Sequence, residues 1–413
     1  MALPSKWQAS VQGSITPRRP RQCKFPLLLL TAYLHHLETL VPEFEYAQPD
    51  ICESMKRWLP EKRTRRYLDQ IYKRSGIDTR YCICENLFSA YGNSLYGTDA
   101  ADGRPRVPST FERNQVYTEA AKRLSIELGR KLFAGCTGKF SPADVTHIVY
   151  ASCTGFCNPG PEFYLARELG IPDSAERYTL GFMGCYAAFP ALRMAAQFCE
   201  ANPEAVVLVM CLELSSLHMQ ISSEPDSLLG NSLFADGAGA AIVSGREPAE
   251  DRNSIHFRNF SSAVVESGEA DMAWTIGNSG FDLVLSSYVP KVLGAEIRDL
   301  VPDPDRFQKW AVHPGGRAIL DKVEKALELP EQALDSSREV LRKFGNMSSA
   351  TILFVLKHLL NSTDQPGEFL THAMAFGPGL TVETAELDLR IRAAKPKNDR
   401  TGLVRSTDPV GSF

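Results

Sequence analysis

The sequence predicts a layered α/β fold, in which helices cover the faces of β-sheets. Apolar runs of strand length alternate with longer stretches of helical period along most of the chain. Such alternation is typical of sheets packed between helices. The 413 residues, 44% of them hydrophobic, suffice for two domains or for one large core in two parts.

Each predicted element rests on its own pattern. The predicted strands are apolar segments ending in small or turn-forming residues: 143–156, 177–182, 205–214, 237–245, 307–314, 369–379 and 380–390. The predicted helices are 161–171, a segment starting near 186–188, 316–329 and 348–360. Pro190 fixes the start near 186–188, because proline is tolerated only in the first helical turn.

The chain is predicted to divide into two halves flanked by tails. The polar segment Arg246–Asn253 is the best boundary, and it separates a half at 25–245 from a half at 254–393. Residues 1–24, rich in Ser, Pro and Arg, are predicted to form a disordered arm, and 394–413 a second tail. The apolar run Phe25–Tyr33 is predicted to be a buried first strand, since it is far too short to span a bilayer.

Charge and cysteine content narrow the class of protein. A formal charge of -4 gives no overall attraction to nucleic acid or to a membrane, so the expected partners are small molecules and a second copy of the chain. The ten cysteines are scattered through apolar runs without a secretory signal, which favours reduced thiols in the cytoplasm. Cys82 and Cys84 lack the spacing of a zinc site, and no metal is expected.

Cys185 is the first candidate catalytic residue. It follows a β-like run and a turn at Gly184, and it precedes an Ala-rich helix. Backbone N–H groups and the positive helix end should favour a thiolate there. A lone cysteine is more often a small core residue. His313 in WAVHPGGRAIL and Asn346 in KFGNMSSATILF reverse that preference, because a distant His and Asn supply a base and an oxyanion donor.

Five motifs together resemble the type III polyketide synthases, the chalcone-synthase-like condensing enzymes. They are MGCYAAF around Cys185, SLFADGAGAAIV around Phe234, VHPGG at His313, GNMSSA at Asn346 and AFGPGLTVET over Ala375–Thr384. Each motif alone could reflect only the residue preferences of a turn, but five motifs in the family's order are specific to the family. The resemblance implies a thiolase-like five-layered αβαβα fold built of two similar halves.

The resemblance also implies a mechanism. Cys185 would hold the acyl group of a starter acyl-CoA, and His313 and Asn346 would stabilise the enolate left by decarboxylation of malonyl-CoA. CoA thioesters are then substrates, with no tightly bound cofactor, and the expected assembly is a homodimer. The expected chemistry is iterative condensation of aliphatic starters, followed by cyclisation to a resorcinol or pyrone.

Further residues are assigned by matching motifs to the family. Phe234 would be the apolar gatekeeper between the CoA tunnel and the cavity, although a core role is the alternative. Arg74, Lys73, Gly315, Gly316 and Arg317 would contact CoA, although a solvated helix face explains the basic residues equally well. A cyclisation network would comprise Cys153, Glu213 and Ser348. Cavity-wall positions would be Ser215, Leu217, His218, Trp274 and Leu283.

Two other functions share this fold. A single-round β-ketoacyl synthase III-like enzyme would use the same Cys, His and Asn but an acyl-carrier protein. A non-catalytic thiolase-fold subunit would bind a partner or an acyl chain, although such subunits typically lose the nucleophile. His313 and Asn346 also have structural alternatives. His313 could be a hydrogen-bonded histidine of a turn, and Asn346 could cap a helix.

Overall fold

The computed structural model describes residues 30–85, 87, 95–96, 106–136, 138–269, 271–286 and 289–392. Its strands are β1 (Tyr33–Leu40), β2 (Phe44–Ala47), β3 (Thr79–Cys82), β4 (His147–Ser152), β5 (Glu176–Gly181), β6 (Val206–Leu214), β7 (Asp236–Ser244), β8 (Ser254–Val264), β9 (Met272–Gly277), β10 (Gly280–Leu285), β11 (Lys309–Val312), β12 (Gly367–Gly377) and β13 (Thr381–Ile391). Its α-helices are α1 (Gln48–Trp58), α2 (Lys62–Arg74), α3 (Thr110–Gly135), α4 (Pro161–Leu169), α5 (Ala188–Ala201), α6 (Pro225–Leu233), α7 (Val289–Leu300), α8 (Arg317–Leu327), α9 (Asp335–Phe344) and α10 (Thr351–Ser362).

Nine strands hydrogen-bond in the order β11-β12-β13-β8-β1-β7-β6-β4-β5. The junction between β1 and β8 is short, with only Tyr33 and Leu34 paired to His256 and Ile255, so the strands form two sheets joined at one corner. Within each sheet the pattern repeats: β1-β7-β6-β4 and β8-β13-β12-β11 both run antiparallel, antiparallel, parallel. This repeat is the two-part architecture that the sequence resemblance implied.

Helices lie outside and between the two sheets. Helix α3 packs on the outer face of the first sheet, where Leu124 and Leu128 share a core with Leu208. Helices α5 and α10 lie between the sheets, because their apolar residues share one core with strands of both. Helix α8 covers the outer face of the second sheet. The result is the five-layered αβαβα arrangement, which confirms the predicted fold class.

The most apolar strands are those with helices on both sides. All nine residues of β6 and all nine of β7 are buried. A strand covered on both faces needs a continuous apolar run, which is why the sequence predicts strands at 205–214 and 237–245. The long helix α3 begins with a capping box in which the Ser109 and Glu112 side chains each bond the other residue's backbone.

The first strand differs from its prediction. Strand β1 starts at Tyr33, where the predicted strand was to end, and it continues to Leu40. Residues 33–40, YLHHLETL, mix polar and apolar side chains without a regular period, and pairing with β7 rather than apolar content sets their position. Residues 25–29 and the predicted tails at 1–24 and 394–413 lie outside the described residues. None of the described helices is long and apolar enough to cross a membrane.

Candidate active site

A strained turn between β5 and α5 presents Cys185. Phe182 and Gly184 both have positive φ, at 59° and 85°. A Cβ on Gly184 would lie 2.4 Å from Cδ of Pro378, so only glycine fits between this turn and the Gly377–Gly379 loop. Helix α5 begins at Ala188, as Pro190 predicted, and Cys185 therefore precedes it by one short turn.

The ionisation of Cys185 differs from the sequence expectation. Burial, with a further contribution from the Glu213 carboxyl, raises the pKa of the thiol to about 11. Hydrogen bonds with Ser348, Asn346 and the backbone of Cys185 oppose that rise but do not overcome it. Cys185 is thus a neutral thiol, because desolvation outweighs the helix-end field that favours a thiolate. A proton acceptor is needed to activate it.

His313, which lines the same cavity as Cys185, is the candidate acceptor. It follows β11, and its backbone N–H donates to the Met374 carbonyl at 2.8 Å. His313 is 1% exposed, and neither ring nitrogen has a hydrogen-bond partner among the residues that the structure describes. Burial alone lowers the pKa of His313 to about 3, so its imidazole is neutral. A buried imidazole with both nitrogens free is suited to bind a substrate oxygen and to accept a proton.

Asn346 is held by its backbone on a parallel bridge with Phe234. Its N–H donates to the Leu233 carbonyl at 2.9 Å, and its carbonyl accepts from the Ala235 N–H at 2.8 Å. Its side-chain Oδ1 accepts from the Ser348 N–H at 2.8 Å, and Nδ2 makes a long contact of 3.4 Å to the Gly315 carbonyl in addition to the interaction of the side chain with Cys185. The amide therefore presents its N–H donors rather than its oxygen.

One cavity of about 470 Å³ joins these three side chains. Most of its wall is apolar, and its charged lining residues, Arg74 and Arg317, are both exposed at the surface. Of the other predicted CoA contacts, Gly315 and Gly316 also line it, whereas Lys73 does not. Lys73 instead lies exposed in the last turn of α2. The three catalytic candidates and four of the five CoA candidates therefore share one chamber.

The hairpin β9–β10 forms another wall of the cavity. Trp274 and Leu283 are paired across the hairpin and line the cavity together with Phe234 and Ser215. The Trp274 indole N–H donates to the Cys153 carbonyl at 2.9 Å, and its ring lies 6.4 Å from that of Phe234. This hydrogen bond holds the Trp274 side chain in place, and the indole takes up part of the cavity volume.

Two predicted cavity residues, Leu217 and His218, do not line this cavity. Leu217 is fully buried in the core under α3, because its short 3-10 turn directs it away from the cavity. His218 is occupied by structural bonds: Nε2 lies 2.7 Å from the Thr154 carbonyl and Nδ1 accepts from the Phe281 N–H at 3.1 Å. Ungapped counting from Cys185 was wrong for Leu217. His218 lines an adjoining pocket together with Ser215, Phe234 and Trp274, so its place on the cavity wall stays a prediction.

Two of the three residues predicted for the cyclisation network, Cys153 and Glu213, are hydrogen-bonded to each other. Glu213, fully buried, accepts from the Cys153 backbone N–H at 2.9 Å, from the Thr154 hydroxyl at 3.0 Å and from the Ser349 hydroxyl. The Cys153 thiol accepts from the Gly184 N–H at 3.0 Å. Ser348, with φ of 47°, interacts with Cys185 instead. The role of Ser348 in cyclisation stays a prediction, and Thr154 and Ser349 are further partners of Glu213 that motif matching missed.

Comparison with known proteins identifies the family. The profile of chalcone and stilbene synthases matches residues 33–248 with its N-terminal domain and 264–390 with its C-terminal domain. An alpha-pyrone synthesis polyketide synthase-like protein, Pks18 of Mycobacterium tuberculosis, is 26% identical over 370 residues, which cover 87% of this chain and 91% of that protein.

Solved structures agree with this assignment. PKS-I from the brown alga Ectocarpus siliculosus is 26% identical, with a TM-score of 0.78 over 87% of this chain and 98% of that one. A type III pentaketide synthase from Neurospora crassa is 28% identical, with a TM-score of 0.74 over 87% of this chain and all of the other. Neither the single-round synthase nor the non-catalytic subunit is favoured by these relatives. The chain belongs to the chalcone and stilbene synthase family and is a type III polyketide synthase.

Proposed function

We propose that this enzyme loads an acyl group from a starter acyl-CoA onto Cys185 and extends it by repeated condensation with malonyl-CoA. The observation that carries the proposal is the single cavity lined by Cys185, by the unpartnered imidazole of His313 and by the amide donors of Asn346. Nucleophile, proton acceptor and oxyanion donors are the groups that thioester condensation needs.

Loading begins with proton transfer. The Cys185 thiol gives its proton to His313, and attraction between the resulting thiolate and imidazolium offsets part of the cost of burying the two charges. The sulfur then attacks the starter thioester carbonyl, a C–S bond forms, and CoA leaves as a thiol after taking up the proton from His313. The acyl group is left on Cys185 as a thioester.

Extension begins with loss of carbon dioxide. The bond between the carboxylate carbon and the methylene carbon of malonyl-CoA breaks, and its electron pair passes into an enolate whose oxygen accepts from His313 and Asn346. Two such donors each contribute about 3–4 kcal/mol in oxyanion sites elsewhere. The enolate carbon attacks the acyl-Cys185 carbonyl, the thiolate leaves, and a β-ketoacyl-CoA is released for the next round.

The remaining residues shape access and product. Phe234 would act as gatekeeper, and Arg74 and Arg317 at the mouth would attract CoA phosphates. Trp274 and Leu283 fill space that a bulky aromatic starter would need, which supports aliphatic starters. Glu213 and its partners, near Cys153, would direct ring closure to a resorcinol or pyrone.

The experiment is an incubation of the purified enzyme with labelled malonyl-CoA and a panel of straight-chain and aromatic acyl-CoAs, without carrier protein. Release of labelled carbon dioxide, acyl-enzyme on Cys185 and multiply extended products by mass spectrometry are expected. Release that requires an acyl-carrier protein, or products extended only once, would contradict the proposal.

A homodimer is the proposed assembly. Phe111, Phe156 and Ile276 are 70%, 43% and 57% exposed, which is unusual for large apolar side chains. Asn114 bonds the Phe156 backbone and Thr110 bonds Gly277, so these side chains belong to one region. Light scattering should give twice the mass of one chain, and a Phe156→Asp substitution should reduce that mass.

The nine described cysteines are all free, which supports the proposed cytoplasmic location.

A further inference from the structure

We infer that Arg80 is a positioning residue for decarboxylation, acting through Phe234 and Asn346. It lies in β3 and is 5% exposed, and its guanidinium reaches under the gate segment, residues 231–236. Nη1 donates to the carbonyls of Asn231 and Phe234, both at 2.7 Å. Nε donates to the Gln48 side-chain oxygen at 2.8 Å, which fixes the guanidinium plane.

The same side chain also contacts the turn that carries Asn346. Gly345 has φ of 71°, and a Cβ there would lie 2.9 Å from Cγ of Arg80, so the arginine stem fills the place of a side chain. Asn346 in turn pairs through its backbone with Leu233 and Ala235 of the gate segment. Through these contacts Arg80 holds the Phe234 ring and the Asn346 amide, one of the two proposed enolate donors, against each other.

The other two catalytic side chains have separate supports. His313 is fixed by the pairing of β11 with β12, and Cys185 by the contact of its turn with Pro378. None of the described hydrogen bonds of Arg80 involves either group. Loss of the guanidinium should displace Asn346 and Phe234 but leave Cys185 and His313 in place.

This separation gives a kinetic signature, which rests on the proposed function. Loading of Cys185 needs Cys185 and His313, whereas decarboxylation also needs Asn346 and Phe234. Arg80→Lys keeps the charge but loses the planar fork that spans two carbonyls. Because small misplacement of a catalytic donor can cost about 100-fold, we expect carbon dioxide release to fall about 10- to 100-fold while loading changes little.

The test measures both rates on one preparation: loading from hexanoyl-CoA by intact-protein mass spectrometry, and carbon dioxide release from labelled malonyl-CoA. Their ratio does not depend on the folded fraction, so partial misfolding does not obscure the result. Arg113→Lys is the matched control. Arg113 is also fully buried and donates to the Leu217 and Met219 carbonyls, but it does not contact the gate segment or Asn346 through any of its described hydrogen bonds.

A lowered ratio of release to loading in Arg80→Lys, with an unchanged ratio in Arg113→Lys, supports the positioning role. Parallel loss of both rates, an unchanged ratio, or selective loss of loading would overturn it. Equal effects in the two variants would show that Arg80 acts only as a buried structural charge. A wild-type enzyme that neither loads hexanoyl-CoA nor releases carbon dioxide would overturn the proposed function itself, an outcome separate from those of the variants.

Discussion

Replacing Glu213 by Gln should remove a large pH dependence of stability. Burial raises the pKa of Glu213 from 4.5 to about 7, although hydrogen bonds from Ser349, Cys153 and Thr154 favour the ionised form. Between those values the folded protein holds a proton that the unfolded chain has released. The free energy of unfolding therefore falls as pH rises from about 4.5 to about 7, and above that range the full penalty persists.

The magnitude follows from the two pKa values. At about 1.36 kcal/mol per tenfold change in proton binding, Glu213 should lower the free energy of unfolding by about 2.5 kcal/mol between pH 5 and pH 8. Glutamine has the same shape and no charge. Its oxygen can accept from Cys153 and Thr154, and its amide can donate to the Ser349 hydroxyl oxygen, so the site stays hydrogen-bonded.

The assay is urea unfolding followed by tryptophan fluorescence at pH 5 and pH 8. Glu213→Gln should be less sensitive to pH than the wild type by about 2–3 kcal/mol, and more stable at pH 8. Asp236→Asn is the control. Burial also raises the pKa of Asp236 to about 6, and its separate contribution to the pH dependence of the free energy of unfolding persists in Glu213→Gln. An equal pH difference in wild type and Glu213→Gln would refute the assigned protonation.

Three further substitutions probe the reaction. Cys185→Ala should abolish acyl-enzyme and polyketide but retain carbon dioxide release, because His313 and Asn346 still form the donor pair; acylation of the variant would remove Cys185 as nucleophile. His313→Ala should slow inactivation by iodoacetamide at pH 7, because the neutral thiol loses its proton acceptor, and equal inactivation rates would argue against that role. Trp274→Gly should raise kcat/KM for coumaroyl-CoA relative to hexanoyl-CoA, since an indole leaves the cavity wall; a wild type that already prefers coumaroyl-CoA would contradict this.

The sequence predicts those elements whose pattern is strong on its own. The fully buried strand β6 and the helix limited by Pro190 were predictable, because continuous apolar residues and a proline have few alternative placements. The start of β1 was not, because a strand of mixed polarity in the interior of the strand order is selected by its partner strands rather than by its own composition.

The candidate site divides in the same way. Cys185, His313 and Asn346 lie in motifs whose turns fix the side chain locally, and the structure brings all three into one cavity. Leu217 was placed by ungapped counting into a 3-10 turn, whose successive side chains point in three directions rather than alternating between two. Arg80 carried no signal, because its role depends on carbonyls more than 150 residues away.

Burial determines which groups of the cavity are neutral and where its charged groups lie. It keeps the Cys185 thiol and the His313 imidazole neutral, and the charged lining residues Arg74 and Arg317 stand at the exposed mouth. A malonyl carboxylate that passes Phe234 would therefore carry its charge into an apolar space. Loss of carbon dioxide moves that charge to the enolate oxygen, where the amide of Asn346 and the imidazole of His313 can donate to it. The apolar wall thus disfavours the reactant charge at one end of malonyl-CoA, while the two donors favour the product charge at the other.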